Sequence, residues 1–472
     1  MKTAGLTGLV ALIAYSITCG AAELPAAVQR VIDGHGIATD QVSFIVQAVG
    51  ADKAVLAFHP DRPRNPASTV KLLTTWAALD YLGPAYTWKT EVYALGEIKN
   101  GVLDGDLLLK GYGDPYLVAE EFWKLLAELR RVGLNEITGD LLIDDSHFAV
   151  PFEDPGAFDG QPFRTYNVAP NALLTNFKAV RFQFFPAADG KVRIAADPEL
   201  ANLEIRNRLR LATGRCRGYQ AGISFSIPDR QTGAMPTFSG NFPNGCQRYA
   251  MTRTVLEHHT YVYGLFRALW TQLGGMFAGQ VRKDLAPEDV EPLLIWSSKP
   301  LAEVIRSVNK FSNNVMTRQL LYTLGAEYGG SPGTDSAGIQ AVTSRLDFHG
   351  LAADSLRMAN GAGLSRETRI SARLLADILL TAYGSPHMPE FLASLSLAGL
   401  DGTTRRRFRG RPEAGRLHIK TGRLDHVAAV AGYVHSPAGP TYVVVALINA
   451  RDVHRGPGEE LQNALLRWAH GL

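Results

Sequence analysis

The sequence predicts an α+β, multidomain chain in which one helix-and-sheet unit is interrupted by a strand-rich insertion. Three observations predict it. Helical periodicity is clear in five stretches: Ser68 to Leu82, Glu120 to Val132, Ala302 to Leu324, Ser371 to Tyr383 and Glu459 to His470. Strand pairs that read as hairpins lie near both ends of the chain. Between them, from Thr87 to Tyr249, short strands and Gly/Pro/Asn turns dominate, with one clear helix.

Taken in order, Phe44 to Val49 and Ala54 to Phe58 are strand-like runs joined by Gly50-Ala51-Asp52-Lys53, a turn composition. The next stretch, from Ser68, places Leu72, Leu73, Trp76, Leu79 and Leu82 at helical spacing. In the middle section Val180 to Phe184 and Lys191 to Ile194 alternate polar and apolar residues, as half-exposed antiparallel strands do. Ala428 to Val434 and Thr441 to Ile448 form the second hairpin, bridged by Ser436-Pro437-Ala438-Gly439-Pro440. No solenoid-period repeat or low-complexity tract interrupts the pattern.

Composition sets outer limits. The chain has 472 residues, 46% hydrophobic and 20% charged, enough for two or three domains. Lys and Arg number 48 against 45 Asp and Glu, so the formal charge of +3 gives no electrostatic reason to expect nucleic acid as a partner. The first 22 residues read as a signal peptide: Lys2, then the short apolar run Gly5 to Ile17, then Gly20-Ala21-Ala22 as a cleavage site. A buried N-terminal helix is the alternative, and Ser16-Ile17-Thr18 is a poor lipoprotein signal before Cys19. No later segment has 18 uninterrupted apolar residues, so at most peripheral membrane association is expected. The expected location is outside the cytoplasm, in the periplasm.

Removing that leader leaves Cys216 and Cys246, an even pair in an oxidising compartment. Read as a disulfide, the loop would stabilise the fold by roughly 3–4 kcal/mol in the chain-entropy model. Two buried thiols or a metal pair are the alternatives.

Three short motifs carry chemistry. In Pro66-Ala67-Ser68-Thr69-Val70-Lys71 a serine and a lysine at i and i+3 share a helix face. A lysine whose pKa is lowered can deprotonate such a hydroxyl, and the helix start favours the resulting negative charge. The same residues also fit a capping serine and a solvated lysine, and Ser307-Val308-Asn309-Lys310 repeats the pattern. Ser312-Asn313-Asn314 lies in a largely apolar stretch, where a serine can relay a proton and the Asn314 amide can hold a peptide; an exposed polar stripe is the bland reading. Lys420-Thr421-Gly422 follows the strand-like Leu417-His418-Ile419 and sets a cation and a hydroxyl, suited to a terminal carboxylate, beside a glycine that lets substrate backbone approach; a strand end entering a turn fits as well. Order decides between copies, because a Ser307 nucleophile would put the first two motifs on one helix.

The ordered triple matches active-serine penicillin-recognising enzymes. The chain resembles the class C low-molecular-mass penicillin-binding proteins, the D-alanyl-D-alanine carboxypeptidase/endopeptidase family, which place extra domains in the long gap between Ser68 and Ser312. Further stretches carry the likeness: Leu107 to Pro115, Gly139 to Asp144, Asn360 to Arg366 and Leu397 to Thr403. The resemblance implies a β-lactamase-like transpeptidase domain with a central antiparallel sheet flanked by helices. With a signal peptide at 1–22, residues 23–86 and 252–472 would form that catalytic domain. Residues 87–175 and 176–251 would be the inserted parts, the latter holding both cysteines.

The resemblance also implies roles. Ser68 would be acylated, Lys71 would be the general base, and Ser312 would pass a proton to the leaving nitrogen. Asn314 would hold the substrate amide, while Lys420 and Thr421 would bind its carboxylate. Gly422 completes the third motif, and the N–H groups of Ser68 and Arg423 would form the oxyanion hole. Asp144 and Arg366 would line the far end of the cleft and suit a diaminopimelate side chain. Peptidoglycan peptides would be substrates, β-lactams covalent inhibitors, and no cofactor is implied. Arg423 to His426 and His418 depart from the family's small residues, which changes the cleft floor.

Two weaker signals lie outside this pattern. Glu257-His258-His259 lacks metalloenzyme spacing, so no metal is expected. The run Arg405-Arg406-Arg407 with Arg409 and Arg411 reads as a solvated loop able to meet anionic wall polymer. Competing functions are a β-lactamase or esterase and a non-catalytic wall-binding scaffold. Against the first stand the missing Tyr-x-Asn and Glu-x-x-Leu-Asn; against the second, three intact motifs.

Overall fold

The computed structural model describes residues 23–216, 222–228 and 235–472. The leader, with Lys2, the apolar run and Cys19, lies outside the described residues.

Helix α1 (Ala26–His35) turns its Val28 and Ile32 inward and ends at Gly36, whose φ of 60° closes the helix in a left-handed cap. Strands β1 (Val42–Ala48) and β2 (Leu56–Phe58) then pair antiparallel, as the hairpin reading expects. A 3-10 turn (Ala67–Val70) leads into α2 (Lys71–Leu82), which is buried from Lys71 through Leu79. A helix buried all round must be apolar on every face, and Leu72, Leu73, Trp76, Ala77, Ala78 and Leu79 make it so.

The excursion begins after Trp88. Strands β3 (Lys89–Lys99), β4 (Val102–Gly111), β5 (Glu136–Ile137) and β6 (Leu141–Asp144) share one sheet, with α3 (Ala119–Arg131) between β4 and β5. Strands β7 (Ala179–Pro186), β8 (Val192–Asp197) and β12 (Tyr249–Thr254) make a second sheet. A third is built from β9 (Arg206–Ala212), β10 (Ile223–Ser226) and β11 (Thr237–Pro243). Cys216 and Cys246 are joined beside it. Next, α4 (His258–Gln272) packs into the insertion's core through Tyr261, Val262, Phe266 and Trp270. Strands β13 (Met276–Phe277), β14 (Val281–Lys283) and β15 (Leu294–Ser297) then return to the first sheet, against β5, β6 and β3. The strands that leave and return meet: Ser298 N–H donates to Trp88 O, and Trp88 N–H to Ser298 Oγ, each at 2.9 Å. By pairing, then, residues from 252 to 297 go with the insertion, whereas the sequence reading resumes the catalytic domain at 252. Strands of two and three residues show no period-2 signal.

Helices α5 (Leu301–Phe311) and α6 (Asn314–Gly329) replace the single helix expected over Ala302 to Leu324. Ser312 takes a left-handed conformation (φ 57°) and ends α5, and Asn313 caps α6 by accepting from Met316 N–H. The apolar period runs through the break because both helices bury against one core. After α7 (Asp335–Phe348), α8 (Ala372–Gly384) and α9 (Met388–Ser394), the chain closes the main sheet with β16 (Ser396–Leu397), β17 (Leu417–Leu424), β18 (Val427–His435) and β19 (Thr441–Asn449). Helix α10 (Pro457–His470) ends the chain. Among the described residues the main sheet runs β16-β17-β18-β19-β1-β2, antiparallel at every step. Helices α1 and α10 cover one face and α2 with α8 the other, so β18 and β19 are buried along their lengths. No described helix is long and apolar enough to cross a membrane.

Candidate active site

Ser68 is the second residue of the 3-10 turn, not the start of a regular α-helix. Its predecessor Ala67 is held at φ 45°, a left-handed value uncommon for a residue with a Cβ. The surroundings enforce it. Ala67 N–H donates to Asn65 Oδ1 (2.8 Å), Asn65 Nδ2 donates to Ser365 O (2.9 Å), and Asn65 exchanges two hydrogen bonds with the Asn449 side chain at the end of β19. Two glycines press on the same backbone. A Cβ at Gly363 (φ 76°) would lie 2.0 Å from Ala67 O, and one at Gly422 would lie 2.6 Å from Pro66 O and 2.9 Å from Ser68 N. Gly422 thus gives room to the chain's own backbone at Pro66 and Ser68.

One turn on, Lys71 is fully buried, with Nζ 3.0 Å from Ser68 Oγ. Asn314 Oδ1 accepts from Nζ at 2.7 Å, and Ala362 O accepts a second, short hydrogen bond. Burial holds this amine well below the ordinary lysine range, and the charge on Lys420 pushes it further down. A neutral amine has two N–H donors and one lone pair. Asn314 and Ala362 take the donors, and the lone pair faces the Ser68 hydroxyl.

Lys420 enters from β17, also fully buried, and donates to Ser312 Oγ at 2.8 Å and Thr421 O at 2.7 Å. Burial alone lowers it to about 7. The left-handed turn at Ser312 frees its hydroxyl from the helix and aims it at this amine. Ser68, Ser312, Thr421, Gly422 and Arg423 share the wall of a cavity of about 650 Å³. The structure therefore brings together all three motifs, with Lys71 and Asn314 immediately behind that wall.

The second Ser-x-x-Lys copy is used differently. Lys310 is buried in an ion pair with Asp401 and also donates to Leu395 O (3.0 Å). It holds the loop that presents Thr403, whose hydroxyl lies 3.2 Å from that of Thr421.

Two expected residues are not in this cluster. Arg366 lies at a second cavity of about 410 Å³, with Glu153, Phe158 and Arg318. Its guanidinium pairs with Asp425 (3.3 Å) and stands over the Phe158 ring. Asp144 needs correction, because its carboxylate is only 1% exposed and points into the insertion. Ser146 N–H and Oγ–H donate to Oδ1, Ala286 N–H donates to Oδ2 (2.9 Å), and Lys110 stands 3.4 Å away. Burial raises its pKa, but those hydrogen bonds win and hold it low. It offers no free oxygen to a ligand.

Residues that motif reading missed do much of the positioning. Asn65, Ala362, Gly363 and Thr403 belong to stretches without a chemical signature, although Ala362, Gly363 and Thr403 lie in the family-like runs. A possible cation group also went unread: His426, Asp452 and His454. It does not suit a metal. His426 Nδ1 accepts from Asp452 N–H (3.0 Å), and His454 Nδ1 accepts from His426 N–H (2.9 Å). The remaining nitrogen of each neutral ring therefore carries the proton, with no lone pair to give. His258, from the Glu257-His258-His259 run, is half-buried, and desolvation with the charges of Lys178 and Lys283 holds its pKa well below the usual imidazole range.

Comparison with known proteins places this geometry. The model of the D-Ala-D-Ala carboxypeptidase 3 (S13) family matches residues 24–472. A D-alanyl-D-alanine carboxypeptidase of Actinomadura sp. (strain R39) is 30% identical over 415 residues, 83% of this chain and 74% of that protein. The crystal structure of penicillin-binding protein 4 from Haemophilus influenzae superposes with a TM-score of 0.78 at 22% identity, covering 94% of this chain and 99% of the other. Its complex with a β-lactam superposes at 0.75 with the same identity, covering 95% and 100%. The expected penicillin-binding fold, a central antiparallel sheet flanked by helices, is the fold observed.

Proposed function

The chain belongs to the D-Ala-D-Ala carboxypeptidase 3 (S13) family, and on that premise we propose that it cuts D-alanyl peptide bonds of peptidoglycan through an acyl-enzyme on Ser68. It is a D-Ala-D-Ala carboxypeptidase that also opens cross-links as a D,D-endopeptidase, and β-lactams acylate the same serine. The first 22 residues support export to the periplasm as its place of work.

The carrying observation is the environment of Lys71: a buried amine, both N–H groups occupied, facing Ser68 Oγ at 3.0 Å. Neutral Lys71 takes the hydroxyl proton as Ser68 Oγ adds to the D-alanyl carbonyl carbon. The developing oxyanion accepts from the N–H groups of Ser68 and Arg423, and removing such a donor costs about 10²–10³-fold in rate. As the C–N bond breaks, the leaving nitrogen takes the Ser312 hydroxyl proton, which Lys420 replaces. Water then adds to the ester and gives a proton to Lys420. Collapse releases the acid, and Ser68 recovers its proton from Lys71. Each lysine ends in the form in which it began.

The substrate amide is held by Asn314 and its carboxylate by Lys420 and Thr421. Arg366, half-exposed at the second cavity, remains the candidate for a carboxylate on the donor stem.

Mass spectrometry after penicillin treatment tests the reading. The expected adduct is stable and lies on the peptide carrying Ser68, and Ser68→Ala abolishes it together with D-alanine release. An adduct elsewhere, or D-alanine release by the Ser68→Ala protein, refutes it; rapid turnover of the label would instead indicate a β-lactamase.

A further inference from the structure

The cavity that opens at Ser68 does not end at Thr421. It continues past Thr403 to the start of α10, and its walls carry Arg406, Arg407, Arg423 and Arg455 against one acid, Glu459. Arg406 and Arg423 are exposed, and neither side chain makes a hydrogen bond or ion pair among the described residues. Arg407 is fixed by Asn463 and Gln462, which leaves Nη2 buried without a partner. Arg455 reaches Asp452 at 3.3 Å. Four guanidiniums around one space, including Arg406 and Arg423 with no acidic partner among the described residues, make a local field that selects anions.

A volume of about 650 Å³ also exceeds what a single leaving alanine fills. When the scissile nitrogen is instead a side-chain amine of a neighbouring stem, the leaving group is a peptide with further carboxylates. The cavity that Ser68 shares with Thr403 has room for them.

We propose that this arginine-lined compartment binds the acyl-acceptor peptide by its carboxylates, so that the chain favours cross-linked, anionic leaving groups over free D-alanine. The inference rests on Ser68 as nucleophile and names the substrate class for the leaving side of that site.

The test uses the full chain and the variants Arg406→Gln, Arg455→Gln and their combination. Three reactions are compared: penicillin labelling of Ser68, D-alanine release from a pentapeptide, and cleavage of a cross-linked muropeptide dimer. Dimer kcat/KM is expected to fall at least 10-fold in the double variant. Labelling and D-alanine release should stay within about 2-fold, which also shows that the variants fold. An acceptor stem with its carboxylates amidated should be cut at the variant's rate by every protein, and Arg406→Lys should recover most of the loss. Equal rates on the dimer in all proteins overturn the proposal, as does a dimer that is neither cut nor able to slow penicillin labelling. Protection of Ser68 by polyphosphate but not by the dimer would assign the patch to phosphate polymer and likewise overturn it. Failure of the underlying reading looks different, since the unmodified chain would then not be labelled on Ser68 at all.

Discussion

Lys420 Nζ donates to Ser312 Oγ at 2.8 Å across a sequence separation of 108 residues, and the link ties the strand of the third motif to the turn of the second. The bond forms only because Ser312 leaves the helix (φ 57°) and because Lys420 is drawn wholly inside. Two buried amines in one site repel each other, so one is kept neutral while the other carries the charge. The division matters for rate.

The first prediction concerns pH. Acylation needs Lys71 neutral and Lys420 protonated. Burial and the Lys420 charge set Lys71 well below the usual lysine range, and burial sets Lys420 at about 7. The second-order rate of penicillin acylation should therefore rise from acid pH as Lys71 loses its proton and fall again above about pH 7, with limbs belonging to the coupled pair. Lys420→Arg keeps the charge and should move the alkaline limb upward. A profile flat between pH 5 and 9 would contradict the assignment.

The second follows from linkage. The Lys420 pKa is lowered to about 7 in the folded chain against 10.5 as the reference. Between those values the unfolded state holds more protons, so stability from this group rises with pH, and below about 7 the folded chain carries a desolvated cation. Relative to Lys420→Met, the unmodified protein should gain up to about 1.4 kcal/mol per pH unit through the middle of that window. Urea unfolding at three alkaline pH values measures it. Parallel pH curves for the two proteins would exclude a buried, titrating Lys420.

The third is steric. Gly363 sits at φ 76° with the Ala67 carbonyl where a Cβ would be, and Gly422 backs directly onto Ser68 N. Gly363→Ala and Gly422→Ala should each slow penicillin labelling by about 5–150-fold, the equivalent of the roughly 1–3 kcal/mol of strain or displacement such contacts carry. Because only local backbone is moved, thermal unfolding should change by a few degrees at most. Unaltered labelling would show that the Ser68 turn tolerates displacement.

How much of this was legible in the sequence depends on where the information lies. Ser68 and Lys71 were legible because a helical turn fixes i and i+3 side chains together. The order of the motifs was enough to set aside Ser307 and Lys310. The carbonyl of Ala362 was not legible, since a backbone acceptor has no side-chain signature. The break at Ser312 was hidden because a left-handed serine carries no glycine signal, and the apolar period continues through it. Asp144 reads the same at a strand end whether its carboxylate faces a cleft or, as here, the insertion's own backbone. The pairing of residues from 276 to 297 with the insertion escaped because its strands are too short to alternate.

The last prediction concerns Lys310 and Asp401. Lys310 has a side chain only 7% exposed, and its charge is answered by Asp401, itself 37% exposed. Asp401→Asn would leave a buried ammonium with only the Leu395 carbonyl as partner. Breaking a fully buried pair costs about 3–5 kcal/mol; with one partner reaching solvent, about 1–3 kcal/mol is expected here. Asp401 also accepts from Leu397 N–H at 2.7 Å and so shapes the loop that sets Thr403 against Thr421. D-alanine release should accordingly fall more than penicillin labelling does. Lys310→Met in the Asp401→Asn background removes the stranded charge and should restore part of the stability, and the amide oxygen that remains can still accept from Leu397 N–H. A double variant no more stable than Asp401→Asn alone would mean that the carboxylate serves the loop and not the lysine.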